Sequence, residues 1–289
     1  MMRSGFVNFF GKPNAGKSTL LNFLMEEKLA IVSSKVQTTR HRIKGILTED
    51  EYQIVLSDTP GIIDPKYPLH HRMMEAVRSA LEDGDLSLLL VDANSDWDES
   101  DKIFAQLKLK GTAWVLLTKT DLVDGKKKQE AIRFFQGKPY ANRVLTISTK
   151  RAPDRKMLIV EMVKMLPVSP AFFPADEISD AQTRFFASEL IREKIFELTS
   201  EEIPYHATVM VREFQEKTTL VKIVADIVVH RESQKAILIG EKGSMIKRLG
   251  TEARQSIESF LQRKVFLELF VKVRPKWRES DIYLDEYGY

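Results

Sequence analysis

Gly11-Lys12-Pro13-Asn14-Ala15-Gly16-Lys17-Ser18 has the spacing of a loop that holds a row of phosphates. Its glycines let consecutive backbone N–H groups curl around an anion, and Lys17 brings a point charge to the outer phosphates. Ser18 offers a hydroxyl to Mg²⁺, with Thr19 beside it, and a helix opening at Gly16 aims its positive end at the anion. Three later segments carry matching chemistry. Asp58-Thr59-Pro60-Gly61 supplies a carboxylate that can hold Mg²⁺ through water, and a Gly61 N–H placed to sense a terminal phosphate. Thr118-Lys119-Thr120-Asp121 supplies a carboxylate able to accept two adjacent N–H bonds, as guanine offers and adenine does not. Ser148-Thr149-Lys150 supplies a backbone N–H for the carbonyl of the same base. Each short segment says little alone; their order along the chain is informative.

These groups must be carried by a scaffold that brings strand ends together. Over the first ~165 residues apolar runs alternate with amphipathic ones, which predicts a parallel-rich sheet with helices on both faces. The strands expected are 6–10, 42–47, 52–57, 86–92, 112–117 and 142–147. The helices expected are 17–26, 70–82, 99–109, 126–136 and 155–166. Each chemical segment then follows a strand. Pro167, Pro170 and Pro174 fall close together and predict an extended linker over 167–180. Asp180 is a candidate cap for the next helix, which carries Phe186, Leu190, Ile191 and Ile195 at helical spacing. Strands at 205–214 and 219–230 follow, then a short helix ending at Ile239, a long helix over 244–261 and a strand at 264–274. The fold class expected is therefore α/β for the first part and a smaller α+β domain for the second.

Composition narrows the classes of function. A chain of 289 residues with 43% hydrophobic and 29% charged content is long enough for two cores. No apolar run approaches the ~18 residues of a membrane span. The chain enters its first apolar run by residue 6, so no signal or transit peptide is expected. The absence of cysteine excludes disulfides and thiolate metal sites and is consistent with a reducing cytosol. Net charge is only +3, yet residues 231–280 hold twelve Lys/Arg against six Asp/Glu. That excess points the C-terminal part toward an anionic partner.

Over residues 5–166 the motifs resemble those of the translation-factor-related GTPases. Most such proteins have Asn in the first place of the base-recognition motif, where this chain has Thr118. Rho-type GTPases also carry T-K-x-D and bind guanine, so the discriminating carboxylate is kept. By resemblance to T-T-R switch loops, Thr39 of Gln37-Thr38-Thr39-Arg40-His41 is the second Mg²⁺ hydroxyl; the alternative is that these are polar residues of a mobile loop. Ras-type enzymes orient the attacking water with a Gln just after the D-x-x-G glycine; here that place is Ile62, which implies slow intrinsic turnover. In related enzymes an asparagine at the place of Asn14 helps hold a K⁺ ion in the role of an arginine finger. The alternative for Asn14 is a turn-stabilising residue. The resemblance thus implies GTP/GDP and Mg²⁺ as cofactors, with K⁺ as a candidate, Ser18, Thr39 and Asp58 about the metal, and Lys17, Thr39, Gly61 and Asn14 as the hydrolytic residues.

Ile239-Gly240-Glu241-Lys242-Gly243 lies between two helices and has the form of the G-x-x-G loop of KH domains. Two glycines remove the side chains that would keep the backbone away from a single-stranded nucleic acid. Lys242, Lys247 and Arg248 stand near the following helix start, and Ile237, Ile239, Met245 and Ile246 suggest an apolar groove for bases. With Gln37 to Arg42, Ala187 to Lys194 and Leu267 to Val273 added, residues 5–289 resemble the Era family of bacterial GTPases. The resemblance implies a G domain over 1–166, a linker over 167–180, a type II KH domain over 181–279 and a short tail over 280–289. It further implies a monomeric small-subunit assembly factor that binds the 3′ end of 16S rRNA on the 30S subunit. Its expected place is the cytoplasm, with peripheral association with the inner membrane. The γ-phosphate and Mg²⁺ would order residues 28–41 and 60–72 and act through the linker. Two rivals stay open: an RNA-binding protein with a relic nucleotide domain, and a GTPase whose basic face meets anionic lipid.

Overall fold

The structure is a computed structural model that describes residues 2–33, 35–200 and 202–289. The expected domain ranges and the segment 28–41 include Met1, Ser34 and Glu201, which lie outside the described residues. The chain forms two compact units. The first holds residues 1–30, 39–65 and 70–180, and the second holds 31–38, 66–69 and 181–289.

Residues 3–165 run β1 (Arg3–Phe10), α1 (Lys17–Met25), β2 (Ile43–Glu49), β3 (Tyr52–Asp58), α2 (Pro68–Glu82), β4 (Leu86–Asp92), α3 (Trp97–Gln106), β5 (Thr112–Thr118), α4 (Gly125–Phe135), β6 (Arg143–Thr146) and α5 (Ala152–Met165). The six strands form one sheet in the order β2-β3-β1-β4-β5-β6. All neighbours are parallel except β2 and β3. Strands buried on both faces read as unbroken apolar runs, and Phe9, Phe10, Leu88, Leu89, Leu90, Val115 and Leu116 are fully buried. Asp96 and Asp124 cap α3 and α4 by accepting from Asp98 N (3.0 Å) and Lys127 N (2.7 Å). α5 begins at Ala152, three residues earlier than expected, because Pro153 sits in its first turn, where no N–H is missed. Parallel pairing delivers the C-terminal ends of β1, β3, β5 and β6 to one edge of the sheet. Ligands of open α/β sheets bind along such edges.

Residues 167–180 run along this first unit and are fastened to it. Ser4 N donates to Pro167 O (3.1 Å), Phe172 N and Phe173 N donate to Gln53 Oε1, and Ile46 N donates to Ile178 O (2.9 Å). The expected cap role of Asp180 is not realised. Its carboxylate pairs with Lys44 Nζ at 2.8 Å, and the next helix, α6 (Thr183–Leu198), starts after Gln182 without a side-chain cap.

The second unit continues with α7 (Ile203–His206), β7 (Thr208–Glu216), β8 (Val221–Val229), α8 (Glu232–Ile239), α9 (Ser244–Leu261), β9 (Val265–Val273) and α10 (Asp281–Glu286). The sheet order is β7-β8-β9, the first pair antiparallel and the second parallel. Alternate residues of β8 (Val221, Ile223, Ala225, Ile227, Val229) meet Ile191 and Ile195 of α6 and Leu249, Ala253 and Ile257 of α9 in one core. Each fully buried Val, Leu or Ile among them contributes about 1.5–3 kcal/mol. The two short helices α7 and α10 carry too little periodicity to be foreseen. The expected tail is folded: Leu284 is buried, Tyr289 Oη lies 2.9 Å from Thr208 Oγ1, and the Tyr289 ring stacks on Trp277.

Candidate nucleotide-binding site

The loop after β1 needs its glycines. Gly11 has φ 154, and a Cβ there would stand 2.5 Å from the Leu90 carbonyl oxygen; Gly16 has φ 94. Asn14 adopts φ 64, a left-handed conformation that asparagine tolerates better than most residues, so its turn role is present. Lys17 is buried, and its Nζ donates to the carbonyls of Gly11 (3.0 Å) and Lys12 (2.9 Å). Burial lowers its pKa to about 8, against the pull of Asp58.

Ser18, Thr39 and Asp58 converge beside it. Ser18 Oγ donates to Asp58 Oδ2 at 2.6 Å and lies 2.8 Å from Thr39 Oγ1, and Thr39 Oγ1 reaches the same Oδ2 at 3.3 Å. Asp58 is fully buried, and its Oδ1 has no hydrogen-bond partner among the described residues. Burial raises its pKa to about 6, with Lys17, Ser18 and Thr39 opposing. A buried carboxylate with an unused oxygen beside two hydroxyls is a hard-oxygen set that a Mg²⁺ ion fits. Thr59 Oγ1 donates to Phe9 O at 2.5 Å and ties this segment to β1. Gly61 lies against the phosphate loop: a Cβ there would come 2.8 Å from Pro13 N. Ile62 N donates to Gly11 O at 3.0 Å.

At the other end, Thr118 is 3% exposed, and its Oγ1 lies 2.8 Å from Ala15 O and 3.2 Å from Val91 O. The threonine therefore tethers the phosphate loop by its hydroxyl. Lys119 Nζ donates to Asn14 O (2.9 Å) and pairs with Asp92 (2.7 Å), a second tether to the same loop. Thr120 Oγ1 donates to Ile147 O at 3.1 Å. Asp121 Oδ1 accepts from Ser148 Oγ at 2.8 Å, and Oδ2 pairs with Lys150 Nζ at 2.8 Å. The bonds from Lys150 and Ser148 hold the Asp121 carboxyl below its ordinary range, so it stays an acceptor. Asp154, in the first turn of α5, accepts from Ser148 N at 2.8 Å and fixes the 148–150 loop.

Every residue expected to touch the nucleotide thus lies in the first unit at one sheet edge. Sequence reasoning missed Asp92 and Asp154. Asp92 ends β4 and Asp154 follows Pro153 at a helix start, so only three-dimensional proximity marks them as supports.

The second candidate site is the turn between α8 and α9. Gly240 has φ 72 and ψ 174, a region open to glycine alone, and a Cβ there would lie 2.7 Å from Met245 Cβ. Gly243, at φ 79, opens α9. Glu241, Lys242, Lys247 and Arg248 are exposed, and Arg248 Nε pairs with Glu252 at 2.8 Å. Ile237 is 53% exposed and Ile239 and Met245 are half-buried, whereas Ile246 packs against the core. The turn therefore presents bare backbone, flanking cations and a short apolar strip.

A phosphate-loop motif, two hydroxyls beside the buried Asp58 and the Asp121 carboxylate, gathered at one edge of a mostly parallel sheet, are the features of a P-loop GTPase domain, and the second unit has the element order of a KH domain. Residues 6–119 match the family model of the 50S ribosome-binding GTPases, and residues 202–278 match that of the KH domain. GTPase Era of Geobacter metallireducens is 42% identical over 291 residues, covering 99% of this chain and 98% of its own. GTPase Era of Clostridium kluyveri is 40% identical over 292 residues, covering 100% of both chains. This chain belongs to the Era family of GTPases. A crystal structure of Era with MgGDPNP and nucleotides 1506–1542 of 16S ribosomal RNA superposes with a TM-score of 0.95 at 36% identity, covering 100% of this chain and 99% of that one. An Aquifex aeolicus Era variant bound to GDP and AlF₄⁻ gives the same values. Among the described residues no helix is long and apolar enough to cross a membrane.

Proposed function

We propose that this protein hydrolyses GTP as a switch, binds the single-stranded 3′ end of 16S rRNA through the Gly240–Gly243 loop, and assists assembly of the 30S subunit. The observation that carries the reading is the pairing of two grips on one sheet edge: Lys17, Ser18, Thr39 and Asp58 for phosphates, and Asp121 for the base. Lys17 and the backbone of residues 11–16 hold the phosphates and stabilise charge as the γ-phosphoryl group leaves. Mg²⁺, when bound, neutralises charge shared by the β- and γ-phosphates. Gly61 senses the γ-phosphate through its N–H. Asp121 accepts from N1 and the 2-amino group of guanine, and the 148–150 loop meets its carbonyl. With Ile62 where Ras-type enzymes carry glutamine, water is poorly oriented and intrinsic turnover is slow. Asn14 adds a K⁺ contact in this reading, which turnover in K⁺ against Na⁺ tests.

Lys242, Lys247 and Arg248 neutralise RNA phosphates, while Ile239, Gly240, Glu241 and Gly243 let the strand approach the loop backbone. GTP would order residues 28–41 and 60–72, and by linkage RNA must favour the nucleotide form that favours it. The protein acts in the cytoplasm beside the assembling subunit, as a monomer with a peripheral hold on the inner membrane, which cell fractionation tests. The central experiment measures turnover and RNA affinity together. Lys17→Ala should abolish hydrolysis while a 16S 3′-end oligonucleotide still binds. Equal RNA affinity with GDP and with a non-hydrolysable GTP analogue would refute the switch. Preference for anionic vesicles over that oligonucleotide in competition would favour the lipid reading.

A further inference from the structure

Arg42 stands three residues after Thr39 and directly before β2, and its guanidinium is shared among three other parts of the first unit. Nη1 and Nη2 form a fork with the Asp83 carboxylate, at 2.6 Å to Oδ2 and 2.8 Å to Oδ1. Nε and Nη2 donate to Ser57 Oγ of β3 at 3.2 and 3.0 Å, and Nη2 also donates to Asn8 Oδ1 of β1 at 3.2 Å. The Asn8 amide closes the cluster by donating to Ala80 O at 2.6 Å and to Asp83 Oδ1 at 3.0 Å. Ser57 and Asn8 are fully buried, so their bonds form where water competes little.

A planar guanidinium matched to a carboxylate has a fixed orientation, so Asp83 sets the plane in which Arg42 meets Ser57 and Asn8. The end of α2 does not need this fork to stay on the sheet. Asn8 alone ties Ala80, in the last turns of α2, and Asp83 beyond it to β1. What Arg42 adds is a hold on the chain that follows Thr39. On one side, Ile43 sits opposite Asp58 in the antiparallel pair of β2 and β3, and Ser57 is the neighbour of Asp58. On the other side, only Arg40 and His41 separate Arg42 from Thr39. Three residues of chain reach at most about 10–11 Å, so an anchor at Arg42 limits how far Thr39 can stray from β3. The Thr39 hydroxyl is the one that lies 2.8 Å from Ser18 Oγ and 3.3 Å from Asp58 Oδ2.

We propose that Arg42, oriented by Asp83, is a positioning residue for the metal: by pinning the start of β2 to Ser57 it sets the spacing between the Thr39 hydroxyl and the Asp58 carboxylate. The proposal rests on the reading of those two groups as holders of Mg²⁺. Outer partners that orient metal ligands typically change metal affinity by about 10- to 100-fold when removed. Arg42 acts through the chain and through Ser57 and touches neither ligand atom, which places its effect at the lower end, about tenfold.

The test is equilibrium binding of a fluorescent non-hydrolysable GTP analogue across a Mg²⁺ titration and in EDTA, without turnover, together with amide hydrogen exchange of residues 39–43 in the metal-free protein. Arg42→Gln should raise the Mg²⁺ concentration for half-maximal analogue binding by about tenfold and leave binding in EDTA within about twofold. It should also speed exchange over residues 39–43. Arg42→Lys should restore only part of the effect, since a lysine lacks the planar fork. Thr39→Ala should raise the Mg²⁺ requirement by itself, and Arg42→Gln should add little on top of it, because no hydroxyl is left to space. If Arg42→Gln does not fold, Asp83→Ala carries the test: its side chain is 43% exposed, and its loss leaves Arg42 present but unoriented, with a smaller shift in the same direction. A Mg²⁺ response to Thr39→Ala with none to the Arg42 and Asp83 variants overturns the proposal and leaves the Thr39 reading standing. No response to Thr39→Ala ends both. Equal loss of binding in Mg²⁺ and in EDTA also overturns it, because a merely structural role would act on the phosphate loop whether or not metal is present.

Discussion

Thr118→Val tests whether the Thr118 hydroxyl tethers the phosphate loop. Valine keeps the volume and suits the end of β5, so the change removes a donor and little else. The threonine has one O–H and two carbonyls in reach, so it donates to one at a time, and Ala15 O at 2.8 Å is favoured over Val91 O at 3.2 Å. Ala15 is 4% exposed, so its carbonyl gains no ready replacement from water. Leaving such a group unsatisfied costs about 1–3 kcal/mol. The bond joins two parts of the protein itself, so part of the loss appears as stability and part as affinity. If all of it appeared as stability, Tm would fall by about 2–12 °C for a unit of this size. If all of it appeared in binding, affinity would fall about 5- to 150-fold. Fluorescent GDP titration and thermal unfolding on the same sample should therefore share one total. GTP and GDP should lose equally, since Ala15 precedes the γ-phosphate contacts in the loop. Thr118→Asn should restore binding. Unchanged melting together with unchanged affinity in Thr118→Val would refute the tether.

Asp121→Asn should move preference from GTP toward XTP, each charge-assisted bond to guanine that is lost costing about 10- to 150-fold in a competition assay; an unchanged GTP:XTP ratio would remove Asp121 from base recognition. Gly240→Ala should destabilise the second unit more than Gly243→Ala. The first adds a clash 2.7–2.8 Å from Met245 to a glycine-only conformation, whereas at Gly243 the nearest atom is 4.0 Å away; equal melting of the two variants would count against the loop geometry. His206 has a pKa lowered to about 4 from 6.5, by burial first and then by Arg278, and its two ring nitrogens face Gln234 Nε2 and Arg278 Nη2. The folded state thus resists a proton that the unfolded chain accepts, so stability is full above about 6.5 and falls as pH drops toward about 4. Urea midpoints across that window should slope downward with acid, and His206→Gln should flatten the slope.

The sequence showed most of this site because its chemistry depends on short runs with fixed spacing. Residues 11–19, 58–61, 118–121 and 148–150 each form one short run, and the structure brings these runs to one edge of the sheet. The six-stranded sheet was legible for a related reason: strands buried on both faces leave unbroken apolar runs such as Leu86 to Val91. The antiparallel β2 and the helices α7 and α10 were harder, since pairing direction and four- to six-residue helices leave no periodic trace. Asp180 shows the limit of local rules. A residue with good capping chemistry was claimed by Lys44, 136 positions away.

The supports were invisible for that same reason. Asp92 fastens Lys119 and Asp154 fastens Ser148, the first across a sequence gap that no spacing rule spans. A motif names the atoms that touch a ligand, while the precision of those atoms is set by partners drawn from anywhere in the chain. Lys17 and Asp58 make the energetic consequence concrete. Burial pulls one pKa down to about 8 and pushes the other up to about 6, so both charges are held at a desolvation cost. A phosphate beside Lys17 and a cation beside Asp58 would each relieve part of that cost. Thr118, Lys119 and Asp92 hold the loop that carries Lys17 by bonds drawn from two other strands.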